Sequence, residues 1–325
     1  MAKKDKPVVG LDLGATKMLV GVLKGRRVLS MVKAKTDPAG GERRFLSTIS
    51  GAVRQALAEA GVKPGQLAGV GAGCPGIMDC RKDRIVSSAN IPFLKDYPLA
   101  RKLKKLFSVP AAVENDANMG LYGEQHFGAA AGYAHVAGFF LGTGIGGALI
   151  LDGRLYRGSS GAAGELGHIF IDPLGPACGC GSRGCLEALA GRLALAAEAA
   201  VLASRGGAPK LMAAAGADLR KLKSGALARA LKAGDEALRE LVRRKAELVG
   251  IAMANVVNTL NPELIVLGGG MVEALGDVVV RAAEESMRRH AMPDIVRRVK
   301  VAPARLGDRA VLMGAAQWVR DQRYA

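Results

Sequence analysis

The chain has 325 residues, half of them hydrophobic and 4% aromatic, with 46 Lys and Arg against 29 Asp and Glu and a formal net charge of +17. That length exceeds one comfortable hydrophobic core, so two α/β units are expected, and the lack of an apolar run of about 18 residues argues against a membrane-spanning helix. The charge raises nucleic acid as a partner, but the basic residues are scattered, with no basic tail and no basic segment interleaved with aromatics, so a basic surface suited to polyanionic ligands is expected and a nucleic-acid module is not.

In chain order, the first seven residues, MAKKDKP, are charged and lack the apolar core of a signal peptide. Val8 to Leu13 reads as a buried strand, Gly14-Ala15-Thr16-Lys17 as a turn and Met18 to Leu23 as the returning strand, a hairpin with Asp12 near its tip. Phe45 to Ala60 has helical spacing and stops at Gly61. Leu67 to Gly73 is strand-like and precedes the turn Cys74-Pro75-Gly76. A short strand, Ala111 to Val113, runs into Glu114-Asn115-Asp116-Ala117-Asn118 and a helix to about His126.

Val136 to Leu141 opens a second hairpin, turning at Gly142 to Gly147 and returning over Ala148 to Leu151. The two hairpins align at an offset of 128 residues, Gly10 to Gly14 over Gly138 to Gly142, which suggests two related α/β units facing each other. Leu186 to Gly250 reads as several helices broken at Gly206-Gly207, Gly216 and Gly225, and Lys245 to Asn258 as another helix. Glu263 to Leu267 is a buried strand, Gly268-Gly269-Gly270 opens a further helix, and Val311 to Arg320 closes the chain. The expected division is a small α/β domain over 1–118, completed by a C-terminal helix in 305–325, and a large α/β domain over 119–304.

The most specific local signal is His168-x9-Cys178-x-Cys180-x4-Cys185. Three thiols and an imidazole at this spacing can close a tetrahedral shell around Zn2+, and Gly179, Gly181 and Gly184 let the loop tighten. Glu165 and Glu187 flank the cluster, more carboxylate than a purely structural knuckle needs, so the site is expected to organise a substrate. Cys74 and Cys80 have no such pattern and read as buried or free thiols. A thiol-rich metal site suits a reducing compartment, and the cytoplasm is the expected location.

Three glycine turns follow buried strands: Gly14-Ala15-Thr16, Gly142 to Gly147 and Gly268 to Gly270. Glycine lets backbone N–H groups approach an anion, and the hydroxyls of Thr16 and Thr143 can add donors. None is a Walker A loop, and none is a good dinucleotide fingerprint. Asp116, flanked by Asn115 and Asn118, admits two readings, a general base or the N-cap of the following helix. Local sequence alone favours the cap.

Taken in order, Asp12-Leu-Gly-Ala-Thr-Lys17, Glu114-Asn-Asp-Ala-Asn118, Leu141-Gly-Thr-Gly-Ile-Gly-Gly147, Glu165-Leu-Gly-His168, the cysteine loop running to Glu187, and Leu267-Gly-Gly-Gly270 resemble the ROK family of repressors, open-reading-frame proteins and sugar kinases. The resemblance runs from about residue 8 to residue 318. One departure is Ala15, where family members often carry a second glycine. The resemblance implies an actin-like, RNase H-type ATPase fold with an interdomain cleft. It also implies roles. Asp12 would help hold Mg2+. Gly14, Ala15, Thr16 and Lys17, with Gly142, Thr143 and Gly144, would cradle the phosphates of ATP. Gly268, Gly269 and Gly270 would lie by the adenosine, and Asp116 would take the proton from a sugar hydroxyl. Gly76, Asn90, Asn115, Glu165, His168 and Glu187 would hold the rest of the sugar. Zn2+ on His168, Cys178, Cys180 and Cys185 would then be structural.

The expected activity is ATP-dependent phosphorylation of a hexose, foremost glucose. Fructose, mannose, N-acetylglucosamine and N-acetylmannosamine remain alternatives, as does a non-catalytic sugar-sensing regulator. Only seven residues precede the first strand, leaving no room for the helix-turn-helix of the family's repressors, which favours the kinase. Some relatives use polyphosphate, which a basic surface would suit, yet the third glycine turn favours ATP. A homo-oligomer, dimer or tetramer, is expected.

Overall fold

The computed structural model describes residues 6–216, 218 and 221–324. Two compact units emerge. One comprises the chain up to Gly132, Leu155–Ala163 and the segment from Asp308, and the other comprises Tyr133–Arg154 and Gly164–Gly307. The boundary expected at residue 118 is therefore displaced, because the helix that begins at Asp116 packs on the C-terminal helix of the first unit.

The first unit opens with β1 (Val8–Leu13), β2 (Lys17–Lys24) and β3 (Arg27–Lys35), followed by α1 (Gly41–Glu59). Next come β4 (Val70–Cys74), a small hairpin of β5 (Ile77–Asp79) and β6 (Arg84–Ser87), α2 (Leu99–Phe107), β7 (Ala111–Asn115) and α3 (Asp116–Phe127). The main sheet has the order β3-β2-β1-β4-β7, antiparallel through the first three strands and parallel from β1 to β7. β1, VVGLDL, is nearly all buried, as a strand covered on both faces must be. β3 has no clean alternation and escaped the sequence reading; it pairs with β2 through a register shift at Val22/Leu23.

The second unit repeats this plan. β8 (Val136–Leu141), β9 (Ile145–Leu151) and β10 (Arg154–Leu155) come first, then α4 (Leu186–Ala190), α5 (Arg192–Ser204), α6 (Pro209–Ala215), α7 (Ser224–Lys232) and α8 (Glu236–Leu260). The rest are β11 (Leu264–Gly268), α9 (Gly270–His290), α10 (Pro293–Val296) and β12 (Lys300–Pro303). Its sheet order, β10-β9-β8-β11-β12, matches the first position by position, again with a hairpin followed by parallel strands. The similarity read from two hairpins thus extends to both sheets. Gly225 lies inside α7 and breaks nothing, and Gly146 and Gly147 belong to β9, which shortens the second turn to Gly142–Gly144. Buried Asp235 serves two helices: it caps α8 through Leu238 N–H and accepts from Lys210 and Leu211 at the start of α6.

The chain returns to the first unit as α11 (Ala310–Tyr324), which packs on β1, β4 and α3. Small residues permit this approach. A Cβ on Gly71 would meet Ala315 O at 1.8 Å, and one on Gly314 would meet Met119 O at 1.8 Å. Both obstacles are backbone, so the helix would have to lift. Gly71→Ala is expected to destabilise by more than the usual cost of about 1–3 kcal/mol for overpacking. Gly51→Ala, in the middle of α1 with nothing near its Cβ position, is expected to stabilise by roughly 0.5–1 kcal/mol. Chemical denaturation of both variants tests the pair.

Candidate active site

In the first unit the chemistry gathers at the C-terminal edge of the parallel strands. Asp12 on β1 is in register with Gly73 on β4, and Gly73 with Glu114 on β7. Gly14 lets the β1–β2 turn close, since a Cβ there would meet Lys17 O at 2.6 Å. Ala15, the departure from the family pattern, packs its methyl against the apolar core, while Thr16 and Lys17 are exposed. Lys17 and Lys33 both reach Asp308, at 3.7 and 3.6 Å.

Asp12 is pushed up to about 7, first by burial and then by the charges of Asp116 and Asp308, against the opposing pull of Lys17. Burial likewise raises Asp116. Two carboxylates that resist ionising together suit a divalent cation, which would relieve both. Cys74, free and buried, is pushed up by burial and by the same two carboxylates, and Cys80 is also free.

The start of α3 removes the cap reading of Asp116. The cap is Asn115, in extended conformation, whose Oδ1 accepts from Asn118 N–H at 3.1 Å. Asp116 is the first helical residue and accepts from Ala117 N–H at 2.9 Å through Oδ1. Asn115 also donates through Nδ2 to Gly76 O at 3.2 Å. Gly76 has φ +138 and would place a Cβ 2.4 Å from Ser87 O, so only glycine fits. Asn90 lies exposed on the segment after β6.

Sequence reasoning missed the support beneath this turn. Buried Glu114 accepts from Asn115 N–H and Asn118 Nδ2 and pairs with Arg157 at 3.7 Å. Arg157 stacks over the Trp318 ring at 5.2 Å. The three residues come from β7, the 155–163 segment and α11, and no local pattern connects them. Asp308 was missed for the same reason.

In the second unit, Gly142 N–H donates to Gly144 O at 2.9 Å and closes the shortened turn. Ile145 N–H donates to Glu187 Oε2 at 2.8 Å. A Cβ on Gly144 would lie 2.0 Å from that oxygen, so the carboxylate occupies the space a side chain would fill. Glu187 therefore braces the turn with one oxygen. Arg192 at the start of α5 donates its N–H to Gly142 O and its Nη2 to Thr143 Oγ1. Gly268 ends β11. Gly269, at φ +87, brings the backbone against the end of β8, with Leu141 O 2.6 Å from where its Cβ would stand, and Gly270 opens α9 facing open space.

The metal motif converges. The ligand atoms of His168, Cys178, Cys180 and Cys185 all lie within 4.8 Å of one another. His168 Nδ1 is 3.6 Å from Cys178 Sγ, and Cys180 Sγ is 3.7 Å from Cys185 Sγ. Zn–S bonds of about 2.3 Å and Zn–N bonds of about 2.0–2.1 Å give tetrahedral edges of about 3.5–3.8 Å, so the donor set fits Zn2+. Cys185 is pushed up to about 12 by burial and by its neighbouring thiols, while a bond from Ser182 lowers Cys180. A bound cation would make all three thiolates favourable. Exposed Glu165 precedes the 3₁₀ turn Leu166–His168, which lies so close to β9 that a Cβ on Gly167 would meet Ile145 O at 1.9 Å.

Residues 8–322 match the ROK family. A glucokinase of Thermotoga maritima is 31% identical over 326 residues, covering 97% of this chain and 98% of that protein. The crystal structure of a ROK family glucokinase from Streptomyces griseus in complex with glucose and AMPPNP superposes with a TM-score of 0.85 at 32% identity, covering 97% of this chain and 99% of that one. The ROK hexokinase of Thermus thermophilus is 38% identical with a TM-score of 0.78, over 97% and 99%. The fold these share is that of the actin-like ATPases.

The raised Asp12 has a signed consequence. Its folded pKa lies above the unfolded value, so its contribution to stability is greatest at low pH and is lost as pH climbs from about 4 through about 7. In Mg2+-free buffer at pH 7.5, Asp12→Asn is expected to raise the thermal midpoint, and the gain should shrink at pH 5. A midpoint lowered equally at both values would contradict the assignment.

Proposed function

The chain belongs to the ROK family, and from that premise we propose that it transfers a phosphoryl group from ATP to a hydroxyl of a hexose, glucose foremost. The full-length likeness to a glucokinase and to a structure holding glucose and AMPPNP supports this reading. The observation within this chain that carries it is the start of α3, where Asn115 takes the cap and leaves a half-buried Asp116 with a raised pKa.

Asp116 is the general base. It accepts the proton of the sugar hydroxyl as that oxygen bonds to the terminal phosphorus and ADP leaves with the electrons of the broken P–O bond. A carboxylate raised toward the working pH is a stronger base, provided enough of it stays ionised. Phosphoryl transfer depends chiefly on placement and charge stabilisation. In this reading Gly14, Ala15, Thr16, Lys17, Gly142, Thr143 and Gly144 serve the phosphates, Gly268 to Gly270 the adenosine, and Gly76, Asn90, Asn115, Glu165, His168 and Glu187 the sugar, whose hydroxyls carboxylates and an imidazole read by paired donor and acceptor bonds. Asp12 would hold Mg2+, which neutralises charge on the phosphates.

Zn2+ on four protein ligands keeps no open position and would be structural. It would fix the His168 ring through Nδ1, leaving Nε2 for the sugar. The thiol set suits a reducing compartment, and the cytoplasm is the location this reading carries.

ADP release measured across hexoses and N-acetylhexosamines tests the proposal. Glucose is expected to give the highest kcat/KM with Mg2+ and ATP. A preference for an N-acetylhexosamine would reassign the substrate, and no sugar-dependent release with any of them would overturn the kinase reading. Metal analysis is expected to find about one zinc per chain, with Cys180→Ser losing both zinc and sugar affinity. A zinc-free protein with full activity would remove the metal from the account.

A further inference from the structure

Arg192 stands at the first position of α5, a helix of 13 residues, beside the turn Gly142–Gly144. Its side chain makes one hydrogen bond, from Nη2 to Thr143 Oγ1 at 2.9 Å. A guanidinium carries five N–H donors, and no carboxylate among the described residues pairs with this one. That sets it apart from Arg243, Arg281 and Arg288 of the same unit, each matched to a Glu or Asp.

The turn itself has donors to spare. Gly142 N–H is spent on Gly144 O, and Ile145 N–H on Glu187. The N–H groups of Thr143 and Gly144 have no partner among the described residues. Two unpaired backbone donors and an uncompensated guanidinium therefore meet at one short turn. Each favours an anion, and together they form a nest. Backbone bonds hold the guanidinium there: Arg192 N–H to Gly142 O at 3.1 Å and Leu193 N–H to Thr143 O at 3.4 Å.

We propose that Arg192 is a direct ligand of the donor's phosphate chain, joining the N–H groups of Thr143 and Gly144. This rests on the kinase reading and adds to it a charged group that no glycine turn supplies. Arginine suits the task because its planar fork can take two phosphate oxygens at once and keeps its charge at every working pH. Its bond to Thr143 Oγ1 holds the fork beside the turn without committing its remaining donors.

The test is equilibrium binding of ATP and of adenosine to the full chain, for the wild type, Arg192→Ala and Thr143→Val. The ratio of the two affinities isolates the phosphates, and adenosine binding reports that the site remains folded. Loss of a charge-assisted phosphate contact is expected to cut the ATP-to-adenosine ratio about 10- to 100-fold in Arg192→Ala. Thr143→Val, which keeps the backbone N–H and the guanidinium but removes the Thr143 hydroxyl and with it the tether, should lose some of the ratio but less than Arg192→Ala. A ratio in Arg192→Ala within about twofold of wild type would overturn the proposal and leave the kinase reading standing. A wild type that binds ATP no better than adenosine would overturn both.

Discussion

At the start of α3, Asn115 Oδ1 accepts the N–H of Asn118. A helix begins with orphan donors, and some group must satisfy them. Because Asn115 does, Asp116 is the first residue of the helix rather than its cap. Asn115 in turn is held from two directions, by Glu114 below and by Gly76 O across the β4–β5 turn. Glu114 is buried and would be costly without its partners, which the Arg157–Trp318 stack helps to supply. The position of Asp116 thus follows from a side-chain cap, a buried acid and a cation–π contact.

The second unit shows the same economy. Cys185 ends the metal loop and is the cap residue of α4; Glu187 follows on the first turn of that helix, and Arg192 opens α5 after Gly191. In eight residues the chain passes from the thiolate cluster to the brace on Ile145 and on to the clamp on Gly142 and Thr143. Metal binding that orders Cys185 would also order the Gly142–Gly144 turn that Glu187 and Arg192 brace.

Much of this was legible in the sequence because it is local. The glycine-turned hairpins, the His-Cys loop and the helix after Asp116 each lie within a short window, and spacing alone announces them. Residues whose roles depend on distant partners were not legible. Gly147 reads as part of a long phosphate turn, yet it is a strand residue whose missing Cβ makes room for Gly164 O and Leu166. Gly225 looks like a break and is helical because its neighbours in α7 bury Ala226, Leu227, Ala230 and Leu231. Glu114 opens the Glu114–Asn118 motif, yet the motif gives it no role, and Arg157, Asp308 and Arg192 carry no motif; tertiary packing alone shows what they touch. Asp116 was misweighted toward capping because an Asn-Asp pair offers two candidate caps, and only backbone conformation says which is used.

The central claim is that Asp116 accepts a proton, and one substitution separates that duty from every structural one. In Asp116→Asn the amide can still accept from Ala117 N–H and still hydrogen-bond a hydroxyl, but it cannot take the hydroxyl's proton. Steady-state turnover with glucose and ATP, beside glucose binding on the same protein, is the measurement. The account predicts a kcat lower by about 10⁴-fold, the upper end for removal of a general base, with glucose binding partly retained. A variant that keeps more than about a tenth of the wild-type kcat would contradict it and return Asp116 to the role of a helix-terminal residue.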